Sequence, residues 1–315
     1  MSLRYAMVLV AAMSWSPGGV MAQQRAAAAP RLLSTDSLAA WLERGTPVRL
    51  LDVRLDAWTY LKGHLPQAQY LNIETLRASK AGVPMQLLDA PWYRELFRRL
   101  GLDPSVPVVV YSAGETLNIQ ATFAVWILAS MGHPRVYLLD GGSSKWLLEG
   151  REVARKYPDV QPAGRWWNSR SFRPGVANLA EVQQGMNTGA LFVDARAHDQ
   201  YVGDDGAQMR RGHLPGAVNH YWQDDLESAG FGRVFRPVDS LRARYAAEGI
   251  VPDRDIIVYC NSGAEASHVY FALKYLLGYP RVRVYPGSWT EWAEREELPI
   301  ERGSGPRYNP PMRSQ

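Results

Sequence analysis

The sequence is poor in cysteine, with Cys260 the only one in 315 residues. No disulfide can form within the chain, and no second thiol is present for a redox sensor that needs a resolving cysteine. His198, His220 and His268 do not stand at metal-ligand spacing with Cys260, so no metal and no cofactor is predicted. A functional thiol is the favoured interpretation of Cys260, and a small buried apolar residue is the alternative.

Long apolar runs and blocks of one charge are also lacking. No stretch approaches the roughly 20 apolar residues of a membrane-spanning helix, so stable membrane insertion is not predicted. Lys and Arg number 35 against 31 Asp and Glu, a formal net charge of +4. No basic block resembles a nucleic-acid-binding arm, so we expect small anions as ligands and no nucleic acid. A hydrophobic fraction of 46% predicts about two globular domains.

Residues 1–22 have the pattern of an export signal. Arg4 gives the positive start, an apolar run follows over 6–15, and small or moderate residues precede Gln23. Cleavage before Gln23 would place the mature protein in the periplasm or outside the cell. An uncleaved amphipathic tail is the alternative, which Pro17 and the glycines after it disfavour.

Segments of the first half of the chain return in the second half in the same order. The matching stretches are LDVR at 51–54 and VDAR at 193–196, GHLPQA at 63–68 and GHLPGA at 212–217, VVVYS at 108–112 and IIVYC at 256–260, and PRVY at 134–137 and PRVR at 280–283. The last pair leads to Trp146 and Trp292, which are 146 positions apart. The repeat predicts two homologous domains.

Each half alternates β-branched runs with amphipathic stretches, which predicts α/β domains with parallel strands flanked by helices. Predicted strands are 48–53, 107–111, 135–139, 190–194, 255–259 and 281–285. Predicted helices are 35–44, 91–100, 117–131, 178–186, 238–248 and 265–277. The domains should span 32–150 and 177–302, joined by a connector at 151–176 and followed by a tail at 303–315. Trp166 and Trp167 predict that the connector packs across the domains.

Cys260 stands where an apolar strand meets a tight loop and a helix. In such an arrangement the loop amides and the positive helix end can face one anionic atom. These dipoles, worth about 0.3–2 kcal/mol, favour a thiolate and would hold a persulfide. The loop residues are Asn261, Ser262, Gly263, Ala264 and Glu265. The first half has Ser112 at the equivalent place, so only the second domain can carry sulfur.

Together these features resemble the tandem rhodanese family, which includes thiosulfate and mercaptopyruvate sulfurtransferases. The resemblance covers about residues 32–302, and it rests on the repeated Asp-x-Arg and Gly-His-Leu-Pro segments, the cysteine loop and the closing YPGSWTEW at 285–292. It implies two tandem rhodanese-like α/β domains, the first of them inactive. It also implies that the Cys260 thiolate takes sulfur from a small anionic donor and passes it from a persulfide to cyanide or a thiol.

The resemblance further implies which residues bind the donor. Arg196 matches the family arginine that approaches the donor, with an ion pair to Asp194 as the structural alternative. Residues 261–265 should line the site, and Trp289 and Tyr221 should be apolar walls or, alternatively, core.

The cysteine loop matches neither donor pattern of the family. Asn261 stands where thiosulfate-using members have a cation and mercaptopyruvate-using members have glycine, and Gln200 stands near a second family arginine. Thiosulfate or a related donor is predicted, with mercaptopyruvate as the alternative. Glu265 is predicted to face outward from the first helical turn, because a carboxylate aimed at Cys260 would raise the thiol pKa and repel a dianion.

Two other functions are alternatives to the enzyme. A non-catalytic carrier would pass sulfur from Cys260 to a protein acceptor. A phosphatase of the same fold is disfavoured, because Ala266 stands where such enzymes have arginine. His64 and His213 precede Leu-Pro in the same motif and should stabilise turns, although His64 could face the cleft as a proton carrier.

Overall fold

The computed structural model describes residues 29–113, 117–163, 175–230 and 232–303. The predicted export signal, Trp166, Trp167 and the tail beyond residue 303 lie outside the described residues. Within the described ranges, no helix combines the length and the apolar character needed to span a bilayer.

The chain alternates short strands with helices throughout. The strands are β1 (Arg31–Leu33), β2 (Arg49–Arg54), β3 (Ala68–Asn72), β4 (Arg77–Lys80), β5 (Val83–Leu87), β6 (Val108–Tyr111), β7 (Val136–Leu139), β8 (Leu191–Asp194), β9 (Val218–Asn219), β10 (Leu226–Ser228), β11 (Arg233–Phe235), β12 (Ile256–Tyr259) and β13 (Val282–Val284). The helices are α1 (Thr35–Glu43), α2 (Ala57–Lys62), α3 (Ala90–Arg99), α4 (Ile119–Ser130), α5 (Gly142–Leu148), α6 (Leu179–Thr188), α7 (His198–Val202), α8 (Val238–Ala247), α9 (Ala264–Tyr270) and α10 (Ser288–Ala293). A π-helix over Phe271–Leu276 continues α9, and short 3₁₀ helices cover Ile73–Leu76 and Trp222–Asp225.

Two parallel sheets form the centres of two domains. Their strand orders are β1-β7-β6-β2-β3 and β13-β12-β8-β9. All neighbouring strands in both sheets run parallel. The central strands β6 and β12 are buried along their whole length, as expected when helices cover both faces of a sheet. The predicted tandem α/β architecture is therefore confirmed.

Helices α4 and α9 pack against each other at the boundary between the domains. Thr122 Oγ1 lies 3.2 Å from Ser267 Oγ, and both residues are buried. Each of these helices follows the loop that contains Ser112 or Cys260, so the two homologous domains pack against each other through corresponding elements.

Two small antiparallel hairpins cross between the domains, and the sequence patterns did not predict them. The β4–β5 hairpin of the first domain brings Arg77 to Ser262 in the cysteine loop. The β10–β11 hairpin of the second domain reaches the first domain, where the Phe235 N–H donates to Asp140 Oδ1 at 3.1 Å. Each domain therefore covers part of the other domain's loop edge.

Candidate functional site

Cys260 lies directly after β12, at the start of a tight loop that several hydrogen bonds fix in place. Its N–H donates to Ser288 Oγ at 3.1 Å, and its carbonyl accepts from the Trp289 N–H at 2.9 Å. Gly263 has φ +88° and donates its N–H to Cys260 Sγ at 3.1 Å. Glycine adopts this left-handed conformation without a steric cost. The amides of Ser262 and Ala266 also donate to the sulfur, so the loop amides face it as the sequence predicted.

The environment of Cys260 nevertheless favours the thiol over the thiolate. The residue has 0% exposed surface. Burial, and after it the charge of Glu265, raises the pKa of the Cys260 thiol to about 12, although three backbone amides oppose this shift. Loss of hydration destabilises the thiolate more than these three hydrogen bonds stabilise it. The prediction that backbone dipoles keep the resting sulfur ionised is therefore wrong.

Glu265 faces the cysteine, which corrects the prediction that it faces outward. Its carboxyl hydrogen-bonds with the Cys260 thiol and accepts a hydrogen bond from the Asn261 N–H. The turn at Gly263 folds the first turn of α9 back over the sulfur, so the carboxyl at 265 and the amide at 266 both reach it. Burial raises the pKa of Glu265, and the nearby Asp194 carboxylate adds to this effect. The thiol therefore has a carboxylate of raised basicity as its neighbour.

Arg196 is committed to a buried ion pair. Its Nη2 lies 2.5 Å from Asp194 Oδ2 and 2.7 Å from the Gly212 carbonyl oxygen, and its Nε lies 2.9 Å from Asp194 Oδ1. The side chain is 1% exposed, and its Cζ lies 4.6 Å from the centre of the Trp289 ring. These contacts tie the Gly-His-Leu-Pro segment to the end of β8.

The first domain contains the same ion pair without a cysteine beside it. Arg54 Nη2 lies 2.6 Å from Asp52 Oδ2 and 3.3 Å from the Gly63 carbonyl oxygen. Because the pair is present in both domains, it serves the fold that they share. We therefore assign Arg196 to the structural alternative, in place of the predicted donor contact.

The Arg196→Ala variant is expected to lose stability. Removing one partner of a buried ion pair leaves an uncompensated charge, which costs about 3–5 kcal/mol. Arg54→Ala is the matched variant in the first domain and should lose a similar amount. Urea unfolding followed by circular dichroism measures both. An Arg196→Ala protein of unchanged stability that had lost only its affinity for the donor would restore the donor-binding role.

The other predicted site residues surround the sulfur in different ways. Asn261 Nδ2 donates to Gln200 Oε1 at 2.9 Å, and Ser262 Oγ accepts from Arg77 Nη1 at 3.2 Å. Ala264 packs on the core as the first residue of α9. Trp289 is 1% exposed and lies against Arg196, so it is a core residue behind the site. Tyr221 is half-buried and packs against the core.

Arg77 is a residue of the site that the sequence analysis missed. Its Nη1 donates to the Ser262 carbonyl oxygen at 3.4 Å as well as to Ser262 Oγ, and its Nε donates to Glu74 Oε2 at 2.9 Å. Its side chain is 8% exposed and lies over Phe123, whose ring also borders Gly263. Arg77 and Ser262 are 185 positions apart, so no local pattern could reveal the contact. The first domain supplies the cation that the cysteine loop itself lacks.

The two motif histidines make structural contacts: His64 contacts its own turn, as predicted, whereas His213 contacts the end of α7. His64 Nδ1 lies 2.9 Å from the Leu65 carbonyl oxygen, and its ring stacks on Tyr60 at 4.0 Å. His213 Nδ1 lies 2.7 Å from the Tyr201 carbonyl oxygen, and the two rings stack at 3.8 Å. Among the residues with described positions, no group of three or more His, Cys, Asp or Glu could hold a metal ion.

The fold and the site together define a class: tandem α/β domains in which one domain carries a loop cysteine and the other has serine in its place. The rhodanese-like domain model matches residues 34–149 and 178–295. The chain belongs to the rhodanese family, in its tandem-domain form.

Relatives named for sulfur transfer match most of the chain. The sulfur carrier protein TtuD of Thermus thermophilus is 37% identical over 288 residues, which cover 86% of this chain and 96% of that protein. The thiosulfate sulfurtransferase of Corynebacterium glutamicum is 32% identical over 290 residues, which cover 89% and 93%. These similarities place the chain in a thiosulfate sulfurtransferase-like family.

Solved structures share the fold at lower identity. The anaerobic ergothioneine biosynthesis enzyme from Chlorobium limicola, in complex with trimethyl histidine, matches with a TM-score of 0.77 at 20% identity, covering 87% of this chain and 71% of that one. A structure of an EanB variant with ergothioneine also matches with a TM-score of 0.77, at 21% identity, covering 87% and 70%. This similarity shows the fold.

Proposed function

We propose that this protein is a sulfurtransferase that moves the outer sulfur of thiosulfate to a thiophilic acceptor through a persulfide on Cys260. The observation that carries the proposal is the set of three backbone amides aimed at the Cys260 sulfur, on a loop whose counterpart has serine. Amides in this arrangement stabilise negative charge on the Cys260 sulfur or on an atom bonded to it. A persulfide anion is such a species.

Glu265 would take the thiol proton when the sulfur is loaded. The Cys260 sulfur attacks the outer sulfur of thiosulfate, the sulfur–sulfur bond of the donor breaks, sulfite leaves with the bonding electron pair, and the proton passes to the Glu265 carboxylate. In the second step cyanide or a thiolate attacks the outer sulfur of the persulfide. The Cys260 thiolate leaves and recovers the proton from Glu265. General-base assistance of this kind fits a thiol of raised pKa that contacts a carboxylate of raised pKa.

Arg77 is the proposed contact for the donor oxyanion. Cys260 has no exposed surface, so a donor reaches the sulfur only after part of the loop moves. The Ser262 hydroxyl and carbonyl are bound by the Arg77 Nη1, and a sulfonate oxygen could take their place. An anionic oxygen is a stronger acceptor for guanidinium than a neutral one. Arg77 is also paired with Glu74 through Nε and Nη2, so its charge would oppose only part of the repulsion between Glu265 and a dianion.

Arg77→Gln is expected to weaken use of thiosulfate. Loss of a hydrogen bond to a charged group costs about 1.5–3 kcal/mol, so kcat/KM for thiosulfate should fall about 10- to 150-fold. The effect should lie mainly in KM for the donor. Arg99→Gln, at an exposed arginine paired with Glu95, is the control and should leave kcat/KM unchanged. A variant whose KM for thiosulfate equals that of the unchanged protein would exclude Arg77 from donor binding.

Mass spectrometry tests the proposed function directly. Incubation with thiosulfate should add one sulfur atom to the peptide that contains Cys260, and addition of cyanide should remove it with release of thiocyanate. A parallel incubation with mercaptopyruvate distinguishes the two donors. A Cys260 peptide that gains no sulfur from either donor would contradict the proposal.

A sulfur carrier is the second candidate. It is favoured by the similarity to a relative named a sulfur carrier. A carrier would form the persulfide but release its sulfur only to a protein acceptor, whereas the enzyme would turn over with cyanide. Thiocyanate formation over many cycles therefore separates the two functions.

We also propose that the mature chain begins at Gln23 and works in the periplasm or outside the cell. The support is the charged start and the short apolar run before that residue. N-terminal sequencing of the protein recovered from each cell fraction tests the proposal. A cytoplasmic protein that retains Met1 would contradict it.

A further inference from the structure

A cavity of about 110 Å³ lies beside Ser112, at the edge of the first domain that corresponds to the cysteine site of the second. Its polar lining comes from Ser112, Asn118, Ser144 and Arg233, and the backbone of Gly141 and Gly232 borders it. A cavity of this size has room for several waters, and so for an ion of four or five heavy atoms.

The backbone holds Ser112 in the way it holds Cys260. Ser112 Oγ accepts from the Ala121 N–H at 2.7 Å, as the Cys260 sulfur accepts from Ala266, the counterpart of Ala121. The Ser112 carbonyl accepts from the Ser143 N–H at 3.0 Å, as the Cys260 carbonyl accepts from Trp289. The loop that begins at Ser112 therefore has the same hydrogen-bonding design as the cysteine loop, with a hydroxyl in place of the sulfur. The cavity lies where a ligand would sit against this loop.

Arg233 brings a positive charge to this cavity from the opposite domain. Its Nη2 donates to the carbonyl oxygens of Gln223 at 3.2 Å and Leu226 at 3.5 Å. Its Nε is buried and has no hydrogen-bond partner within the described part of the chain. Arg233 is half-buried and borders the cavity, and its guanidinium has donor capacity that these contacts do not use, so it can bind an anion held there.

Asp140, which is adjacent in sequence to the lining residue Gly141, does not compete for this position. Its carboxylate accepts from the Phe235 N–H at 3.1 Å and is not part of the cavity wall. Hydroxyls of Ser112 and Ser144 remain on the wall beside Arg233. Among the described residues, the cavity wall therefore offers hydrogen-bond donors around one cation and no carboxylate.

We propose that this cavity is a non-covalent binding site for a small tetrahedral oxyanion such as sulfate, thiosulfate or phosphate. The Arg233 guanidinium would bind the anion, and the Ser112 and Ser144 hydroxyls would complete its coordination. Ser112 has a hydroxyl where the second domain has the thiol, and a hydroxyl cannot carry sulfane sulfur, so the anion would be bound and released unchanged. The proposal does not depend on sulfur transfer at Cys260.

Isothermal titration of the full chain carrying Cys260→Ser tests the site without covalent loading. Sulfate, thiosulfate and phosphate are titrated in turn. Thiosulfate can also bind at the cysteine loop, so binding beside Ser112 is the part that remains when Arg77→Gln is added, and at least one anion should show it with a stoichiometry of one. Adding Arg233→Gln should weaken that binding at least about tenfold. Arg233→Lys keeps the charge and should retain part of the affinity. Thermal unfolding of each variant shows whether the fold is intact.

Arg77→Gln is the matched control, because Arg77 lies on the hairpin that covers the other loop. If the anion binds beside Ser112, Arg77→Gln leaves its affinity unchanged. Affinity lost with Arg77→Gln and kept with Arg233→Gln would place the anion at the cysteine loop and overturn the proposal. No measurable binding of any of the three anions would also overturn it. In the chain that keeps Cys260, Arg233→Gln should leave sulfur loading unchanged.

Discussion

Cys260→Ser is expected to abolish persulfide formation while the fold remains intact. The chain has no other sulfur nucleophile, since Cys260 is its only cysteine. The hydroxyl of serine cannot form the sulfane species that the loop amides would stabilise. Thiocyanate production and the mass gain on the loop peptide should both fall below detection.

The first domain explains why this variant should still fold. Ser112 occupies the equivalent position, with an amide at 2.7 Å from its oxygen and 1% of its surface exposed. The substitution therefore reproduces an arrangement that the fold already contains. Circular dichroism and thermal unfolding provide the control. Residual turnover in a correctly folded Cys260→Ser protein would end the assignment of Cys260.

Glu265→Gln is expected to slow sulfur loading at pH 7 by about 10²- to 10⁴-fold, the usual contribution of a general base. The reason is the protonation state of the resting sulfur. With the pKa of the Cys260 thiol raised to about 12, the thiolate fraction at neutral pH is very small. A base in contact with the thiol must then remove the proton during the attack.

The pH dependence of loading distinguishes this role from simple repulsion. In the unchanged protein, loading should be lost as the pH falls through the raised pKa of Glu265, because the protonated carboxyl cannot accept a proton. In Glu265→Gln, loading should rise about tenfold per pH unit above pH 7, as the thiolate fraction does below its pKa. Removal of the Glu265 charge also lowers the pKa of Cys260, so the difference between the two proteins should close at high pH.

Stopped-flow measurement of single-turnover loading with thiosulfate, at pH 5–10, gives these profiles. Glu297→Gln, at an exposed glutamate near the end of the second domain, is the control and should follow the unchanged protein. If Glu265→Gln loaded sulfur faster than the unchanged protein at pH 7, Glu265 would only suppress the thiolate, and the proton would leave by another route.

The two halves of the chain act as an internal comparison that separates fold from function. Asp52 with Arg54 repeats the ion pair of Asp194 with Arg196 in a domain that has no cysteine. The Asp-x-Arg segments at 51–54 and 193–196 already contained this information, because a residue needed for chemistry has no reason to stand in both halves. The assignment of Arg196 to the fold could therefore have been made from the repeat.

Arg77 and Arg233 could not have been found in this way. They stand on two hairpins that the periodicity did not predict, since the strands have only three to five residues. Each arginine lies beside a loop of the opposite domain. Which loop it reaches depends on how the two domains pack across α4 and α9.

The sequence by itself determined the tandem architecture and the place of the single cysteine at the end of a buried strand. The predicted strands 107–111 and 255–259 agree to within a residue with the observed strands Val108–Tyr111 and Ile256–Tyr259, because buried parallel strands require unbroken apolar runs. Only the tertiary structure showed that burial favours the protonated Cys260, that Glu265 faces the sulfur and that Arg77 contacts the cysteine loop. These depend on burial and on contacts between distant positions, and local patterns carry no information about either.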